Sequence, residues 1–229
     1  MTGVLPLRFT PSGNGDVHLT HTAPQWRGLD VADTLEGMHW LFVCTGNICR
    51  SPTAERLVAA YADQHGLTQL TASSAGTRAV VGAGVERTAA EVLISLGGDP
   101  TGFRARDLTA QQAREADLVL TMSRRHRDRV LELAPGAMRR TFTLREVARL
   151  LQHSNDGDTT APLLDRLSAA RARHAQDGSD VDDVLDPIGR DLARFELVGA
   201  TIAASLVPLL EHAHTELGRG QREIDRPAG

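Results

Sequence analysis

The stretch from His39 to Pro52 constrains this chain more than any other. His39-Trp40-Leu41-Phe42-Val43 is a short apolar run that suits a buried parallel strand, and it leads into a loop containing Gly46. Ser51 and Pro52 then signal a helix start, with Ser as N-cap and Pro at the first helical position. Ala54, Leu57, Val58 and Tyr61 follow at i, i+3, i+4 and i+7, the apolar stripe of an amphipathic helix. Residues 44–51 are therefore expected to form a strand-to-helix turn.

The same alternation continues downstream. A second strand is expected over Leu70 to Ser74, then a Gly-rich loop, then a helix carrying Val85, Ala89, Val92, Leu93 and Leu96, stopped by Gly97-Gly98. Ala116 to Met122 reads as a third strand and Thr141 to Leu144 as a shorter fourth. Strands alternating with helices at this spacing predict an α/β fold, a parallel sheet with helices on both faces. Such sheets bind ligands beyond the carboxyl ends of their strands, where Cys44 falls. Residues 1–38 are read as an N-terminal extension whose two alternating stretches suit either a hairpin or an unpaired tail. Residues 39–214 are read as the main domain, with a polar insertion at about 152–183 around a helix from Pro162 to His174. The stripe Phe195, Val198, Ile202, Leu206 and Leu209 predicts a last helix bent near Pro208, with fraying after Leu217 and a tail at 215–229.

Each residue of Cys44-Thr45-Gly46-Asn47-Ile48-Cys49-Arg50-Ser51 has a physical task in an anion-binding loop. Wrapping a tetrahedral dianion with backbone N–H groups needs unusual backbone angles, which Gly46 and Asn47 tolerate. The following helix start adds partial positive charge and free N–H donors. Arg50 can grip two phosphate oxygens with its planar fork, which lysine cannot. A thiol is ordinarily only a few per cent ionised at neutral pH, and helix N-termini with adjacent cations favour the thiolate nucleophile. Cys44 is the candidate for that role, and Ser51 can donate a hydrogen bond to it.

Composition narrows the partners. The 25 basic and 29 acidic residues leave a formal charge of −4, which argues against a nucleic-acid surface. No apolar stretch was found approaching the ~18–20 residues that span a bilayer, so no membrane association and a cytoplasmic location are expected. Cys44 and Cys49 are the only two cysteines, too few for a disulfide framework and close enough to suggest reactivity. His18 with His21, and His212 with His214, have ligand-like spacing but no third ligand in a readable motif, so no metal and no cofactor are expected.

Val43 to Pro52, Val-Cys-Thr-Gly-Asn-Ile-Cys-Arg-Ser-Pro, resembles the signature of the low-molecular-weight protein tyrosine phosphatases. The resemblance continues through Ser73 to Thr77, Arg104-Ala105-Arg106, Asp117 to Met122 and Asp186-Pro187. It implies a four-stranded parallel sheet flanked by helices and a phosphoric monoester hydrolase working through a phosphocysteine intermediate, without metal. It makes Cys44 the nucleophile and Arg50 the phosphate clamp. Thr45, Gly46, Asn47, Ile48, Cys49 and Ser51 become the phosphate-binding loop, ordered by Asn47, Ser51 and Ser74. A proton donor is also required for the leaving group. Residue types alone leave Asp177, Asp180, Asp182, Asp183 and Asp186 open, and the family's acid, which directly precedes a proline, selects Asp186 with Asp183 as runner-up. The implied substrate is a phosphorylated protein, and relatives that reset bacterial tyrosine kinases make such a kinase a candidate partner.

Two positions depart from the family pattern. The aromatic residues that wall the substrate ring in many relatives are absent from Ile188-Gly189 and from Arg78 to Gly84, and a histidine that often joins the network behind the loop is replaced by Phe103. The leading expectation is hydrolysis of phosphotyrosine or aryl phosphates. A protein-arginine phosphatase is the alternative, against which Ile48 argues, because that subgroup tends to carry Thr there. An arsenate reductase using an external thiol is a third reading, and a phosphoprotein-binding module without turnover a fourth.

Overall fold

Apolar runs separated by glycine-punctuated loops build a parallel sheet in a computed structural model that describes residues 37–152, 162–173 and 182–224. Strand β1 (Met38–Cys44) is followed by α1 (Arg50–His65), β2 (Leu70–Gly76), α2 (Arg87–Ser95), α3 (Ala110–Glu115) and β3 (Leu118–Thr121). Then come α4 (Arg124–Leu133), a 3₁₀ turn at Pro135–Arg140, β4 (Thr141–Thr143), α5 (Leu144–Gln152), α6 (Leu163–Arg173) and α7 (Leu192–Ile224). The four strands lie in the order β2-β1-β3-β4, and all pairs are parallel, as the sequence led us to expect of the sheet, though it gave no order. The connections from β1 run first to one side and then to the other, so the switch point lies between the carboxyl ends of β1 and β3.

Alternation along β1 divides the core. Trp40, Phe42 and Cys44 face α1, α5, α6 and α7 through residues such as Val58, Leu150, Leu167 and Ile202. Leu41 and Val43 face the other layer, with Ala113 of α3 and Val130 of α4. Both faces are therefore covered, which is why β1 reads as an unbroken apolar run.

Several expectations change. Cys49, not Ser51, is the N-cap of α1, and no side chain caps it. Ser51 sits inside the first turn because its hydroxyl is engaged with Cys44, and Pro52 is tolerated there because first-turn N–H groups have no helical acceptor. The insertion helix is not peripheral: Leu163, Leu167 and Ala170 of α6 are buried in the main core. Its Arg171 stacks over the Phe142 ring at 3.7 Å and pairs with Glu146 at 2.7 Å. Helix α7 continues past Leu217 to Ile224 with Pro208 inside it. Its 26-residue stretch Leu192–Leu217 contains an 18-residue window of mean hydropathy 1.5 and is long and apolar enough to cross a membrane, against the sequence expectation. That apolarity is used in the core, where Phe195, Val198, Ile202, Leu206 and Leu209 are buried. The expected hairpin within 1–38, His18, His21, Asp177, Asp180 and the tail from residue 225 lie outside the described residues.

Gly76 ends β2 opposite Cys44, and a Cβ there would lie 2.5 Å from the Thr45 carbonyl oxygen and 3.0 Å from Ala79. The segment Thr77 to Val80 is bonded along the phosphate loop through Thr77 N to Cys44 O, Arg78 N to Thr45 O and Val80 N to Gly46 O. Gly76→Ala must push these backbones apart, and urea denaturation should show a loss of about 1–3 kcal/mol of stability.

Candidate active site

The loop from Cys44 to Arg50 is held in shape mainly by one side chain. Asn47 is fully buried and takes a positive φ of 53°, one of the few conformations in which asparagine replaces glycine readily. Its Oδ1 accepts from the Arg106 N–H at 2.9 Å, which fixes the amide orientation. Its Nδ2 then donates to Ser51 Oγ at 3.0 Å and to Ser74 Oγ at 2.7 Å. Ser51 Oγ and Cys44 Sγ share a hydrogen bond at 2.9 Å, and the Asn47 N–H donates to the same sulfur at 3.3 Å. The Asn47 N–H and the Ser51 hydroxyl thus both meet the sulfur.

Behind Ser74 the chain supplies a group that the sequence reading missed. Ser74 Oγ donates to Glu55 Oε2 at 2.5 Å, and burial raises the Glu55 pKa against the opposing effects of that bond, Arg56 and Arg106. Phe103, standing where relatives often have histidine, is buried with the Arg56 guanidinium 5.6 Å above its ring. Asn47 therefore finds its partners in Ser74 and the Arg106 backbone. Glu55 was legible only as the polar position of a helix stripe, so nothing local marked it.

Arg50 is buried at 7% side-chain exposure and points across the loop mouth. Its Nη1 donates to the Val184 carbonyl at 3.1 Å and its Nη2 to Asp186 Oδ2 at 2.6 Å. The acidic segment is stitched to the end of β3 by Val184 N to Met122 O at 2.8 Å, which brings Asp186 to the Arg50 guanidinium and into the cleft that Cys44 lines. The other described candidates are engaged elsewhere. Asp182 takes a two-pronged contact from Arg149 at 3.2 and 3.0 Å, and Asp183 accepts from the Arg124 N–H at 2.8 Å. Of the described candidates, Asp186 is the one that meets Arg50 and lines the cleft.

Cys44, Thr45, Ile48, Arg50, Val80 and Asp186 are among the residues lining an open cleft of about 400 Å³. Cys49 also reaches it but packs in a separate apolar cluster with Ala89, Val92 and Phe195. Burial first, and then the neighbouring Cys44, push its thiol up to about 12, so it stays protonated. Among the described residues no group of three or more His, Cys, Asp or Glu side chains is arranged to hold a metal.

His126 is the second residue missed from sequence. It follows β3 at the start of α4, where Nε2 meets Thr45 Oγ1 at 2.8 Å and Nδ1 meets Ser123 Oγ at 2.9 Å. The signal available was its place just beyond the end of a strand adjacent to β1, where sheets of this kind assemble their sites. Burial, then Arg50, lower its pKa to about 4, outweighing Asp186. The folded protein therefore holds His126 neutral while the unfolded chain binds a proton below about 6.5. Its contribution to stability is complete above pH 6.5 and declines as pH falls toward 4. Urea denaturation at pH 7.5 and 4.5 should show this decline, and His126→Gln should reduce it.

Comparison with known proteins gives this geometry a family. The model described as low molecular weight phosphotyrosine protein phosphatase matches residues 39–165. The low molecular weight protein-tyrosine-phosphatase Wzb of Escherichia coli is 44% identical over 95 residues, 42% of this chain and 61% of that protein. The probable phosphatase AmsI of Erwinia amylovora is 40% identical over 102 residues, 44% of this chain and 67% of that protein. The chain's aligned part thus spans 61% of the length of Wzb. The crystal structure of AmsI superposes with a TM-score of 0.57 at 26% identity, covering 78% of this chain and 95% of AmsI. The YwlE arginine phosphatase of Geobacillus stearothermophilus gives 0.57 at 27% identity, covering 78% and 94%. With a family model spanning more than half its length, and with the signature loop folded around Cys44 and Arg50, the chain belongs to the low molecular weight phosphotyrosine protein phosphatase family.

Proposed function

We propose that the chain is a cysteine-dependent phosphatase that hydrolyses phosphotyrosine or aryl phosphate esters through a phosphocysteine intermediate. The observation that carries this reading is the convergence of Cys44, Arg50 and Asp186 on one cleft, with the Ser51 hydroxyl and the Asn47 N–H both meeting the sulfur. The phosphoryl dianion first takes the Arg50 guanidinium from Asp186. The carboxylate is 51% exposed and so weakly held, whereas a phosphate makes two charge-assisted bonds in a largely buried site.

Freed from Arg50, the exposed Asp186 takes up a proton from solvent, and its carboxyl group then faces the bridging oxygen. Cys44 sulfur attacks phosphorus, the phosphorus–oxygen bond to the leaving group breaks, and that oxygen takes a proton from Asp186. Water next attacks the phosphocysteine and gives its proton to the Asp186 carboxylate. The phosphorus–sulfur bond breaks and inorganic phosphate leaves. Arg50 and the loop N–H groups stabilise the charge on the equatorial oxygens in both steps. Ser51, donating to the sulfur, eases departure of the thiolate in the second.

The substrate is proposed to be a phosphorylated protein, a bacterial tyrosine kinase among the candidates, in a cytoplasmic setting. AmsI and the YwlE arginine phosphatase fit the fold equally at a TM-score of 0.57, so the backbone does not choose between aryl and guanidino substrates. The cleft walls favour the aryl ring, since Ile48, Val80 and Ile188 are apolar and offer no acceptor to a guanidinium. A thiol-relay arsenate reductase lacks support, because Cys44 and Cys49 are the only cysteines and Cys49 is held protonated.

Cys44→Ser should abolish turnover of p-nitrophenyl phosphate while leaving oxyanion binding intact. Asp186→Asn should slow phenyl phosphate far more than p-nitrophenyl phosphate, since a good leaving group needs less protonation. Equal slowing of the two esters would remove Asp186 from the proton-transfer role. Parallel rates on a phosphotyrosine peptide and on phosphoarginine should favour the former, with the absent aromatic wall expressed as a raised KM; the reverse preference would reassign the substrate.

A further inference from the structure

A second cleft of about 410 Å³ adjoins the first and shares Thr45 and Arg78 with it. Arg125, His126 and Arg129 of α4 form its other side, with Asp128 and Glu132. The two clefts are joined by fixed parts. Hydrogen bonds from the segment Thr77 to Val80 hold the Arg78 backbone on the phosphate loop, and the Thr45–His126 contact ties α4 to the same loop.

The charges of this second cleft do not cancel locally. Glu132 is engaged by Arg129 at 2.8 Å, and Asp128 lies 4.0 Å from Arg127. Arg78 and Arg125 have no ion pair among the described residues, in a chain whose overall charge is −4. Arg125 lies in the first turn of α4, which has no acidic residue of its own, and cations are electrostatically disfavoured at a helix N-terminus. Asp183 accepts from the Arg124 N–H there but makes no recorded contact with Arg125. The placement costs stability and has no structural partner to justify it.

We infer that this second cleft is an anion subsite of the same active centre, holding an acidic side chain or a second phosphoryl group next to the phosphorylated residue of a peptide substrate. The inference rests on the proposed phosphatase reading and extends it to specificity. Arg78 stands on the ridge between the clefts and Arg125 across the second one, so an extended peptide with its phosphoryl group on Arg50 would present a neighbouring anion to both guanidinium groups.

The test compares four phosphotyrosine peptides: one flanked only by alanine, one with aspartate on the N-terminal side, one with aspartate on the C-terminal side, and one with a second phosphotyrosine. At low salt the best anionic peptide should exceed the alanine peptide in kcat/KM by about three- to fivefold, mainly through KM, as partly exposed ion pairs give. The advantage should shrink as salt is raised. Arg125→Glu should bring the ratio to about one or below, with p-nitrophenyl phosphate turnover unchanged. The aspartate and phosphotyrosine arms separate a carboxylate subsite from one for a second phosphoryl group. Equal rates for all four peptides, or an advantage that survives Arg125→Glu, would overturn the inference. Equilibrium binding of the same peptides to Cys44→Ser repeats the comparison without turnover, so failure of the phosphatase reading would appear as absent hydrolysis with the binding preference still measurable.

Discussion

The architecture of the site depends on the amide of one buried asparagine. A loop that turns its N–H groups inward needs a residue in the left-handed region, and Asn47 supplies it while also satisfying its own polar atoms. With Oδ1 fixed by the Arg106 N–H, the amide nitrogen is left to donate to both Ser51, which meets the Cys44 sulfur, and Ser74, which donates on to Glu55. Leucine or alanine at this place would leave Ser51 and Ser74 without the amide donor and the backbone in a strained conformation. The parallel sheet presents this loop, and the network gives it its polarity.

Strong local patterns made the loop legible in the sequence. An apolar pentapeptide, a Gly-Asn pair and a helix stripe sit within about twenty residues, and the parallel sheet, though not its strand order, followed from repeated strand–helix alternation. Asp186 was legible because proline marks it. His126 and Glu55 were not, since each acts through folding across long separations, from α4 onto Thr45 and from α1 onto Ser74. The misplacement of the helix cap has a similar origin. A serine before a proline reads as a cap, but here its hydroxyl belongs to the sulfur. The last helix was legible from its stripe Phe195, Val198, Ile202, Leu206 and Leu209, all buried, whereas the apolar length of α7 was underestimated.

Arg50 illustrates a further division between sequence and structure. Its type was legible as an anion clamp, whereas its contact with Asp186 and the Val184 carbonyl arises only when the acidic segment is stitched to β3. Clamp and proposed proton donor are thereby linked in one contact. In the proposed mechanism, release of the carboxylate is part of binding the phosphoryl group, and one event brings the two functions into register.

The placement of α6 has a consequence for the sheet as a whole. Strand β4 is the sheet's border, only Thr141–Thr143 long, and a border strand offers its free backbone groups as a template for another chain. Arg171 donates to the Thr141 carbonyl at 3.0 Å while its guanidinium lies flat on Phe142, so α6 occupies both the polar and the apolar parts of that border. The helix that the sequence placed within a polar insertion thus covers part of the sheet's edge. Excising it would present Phe142 beside an open backbone edge, the combination from which intermolecular strand addition starts.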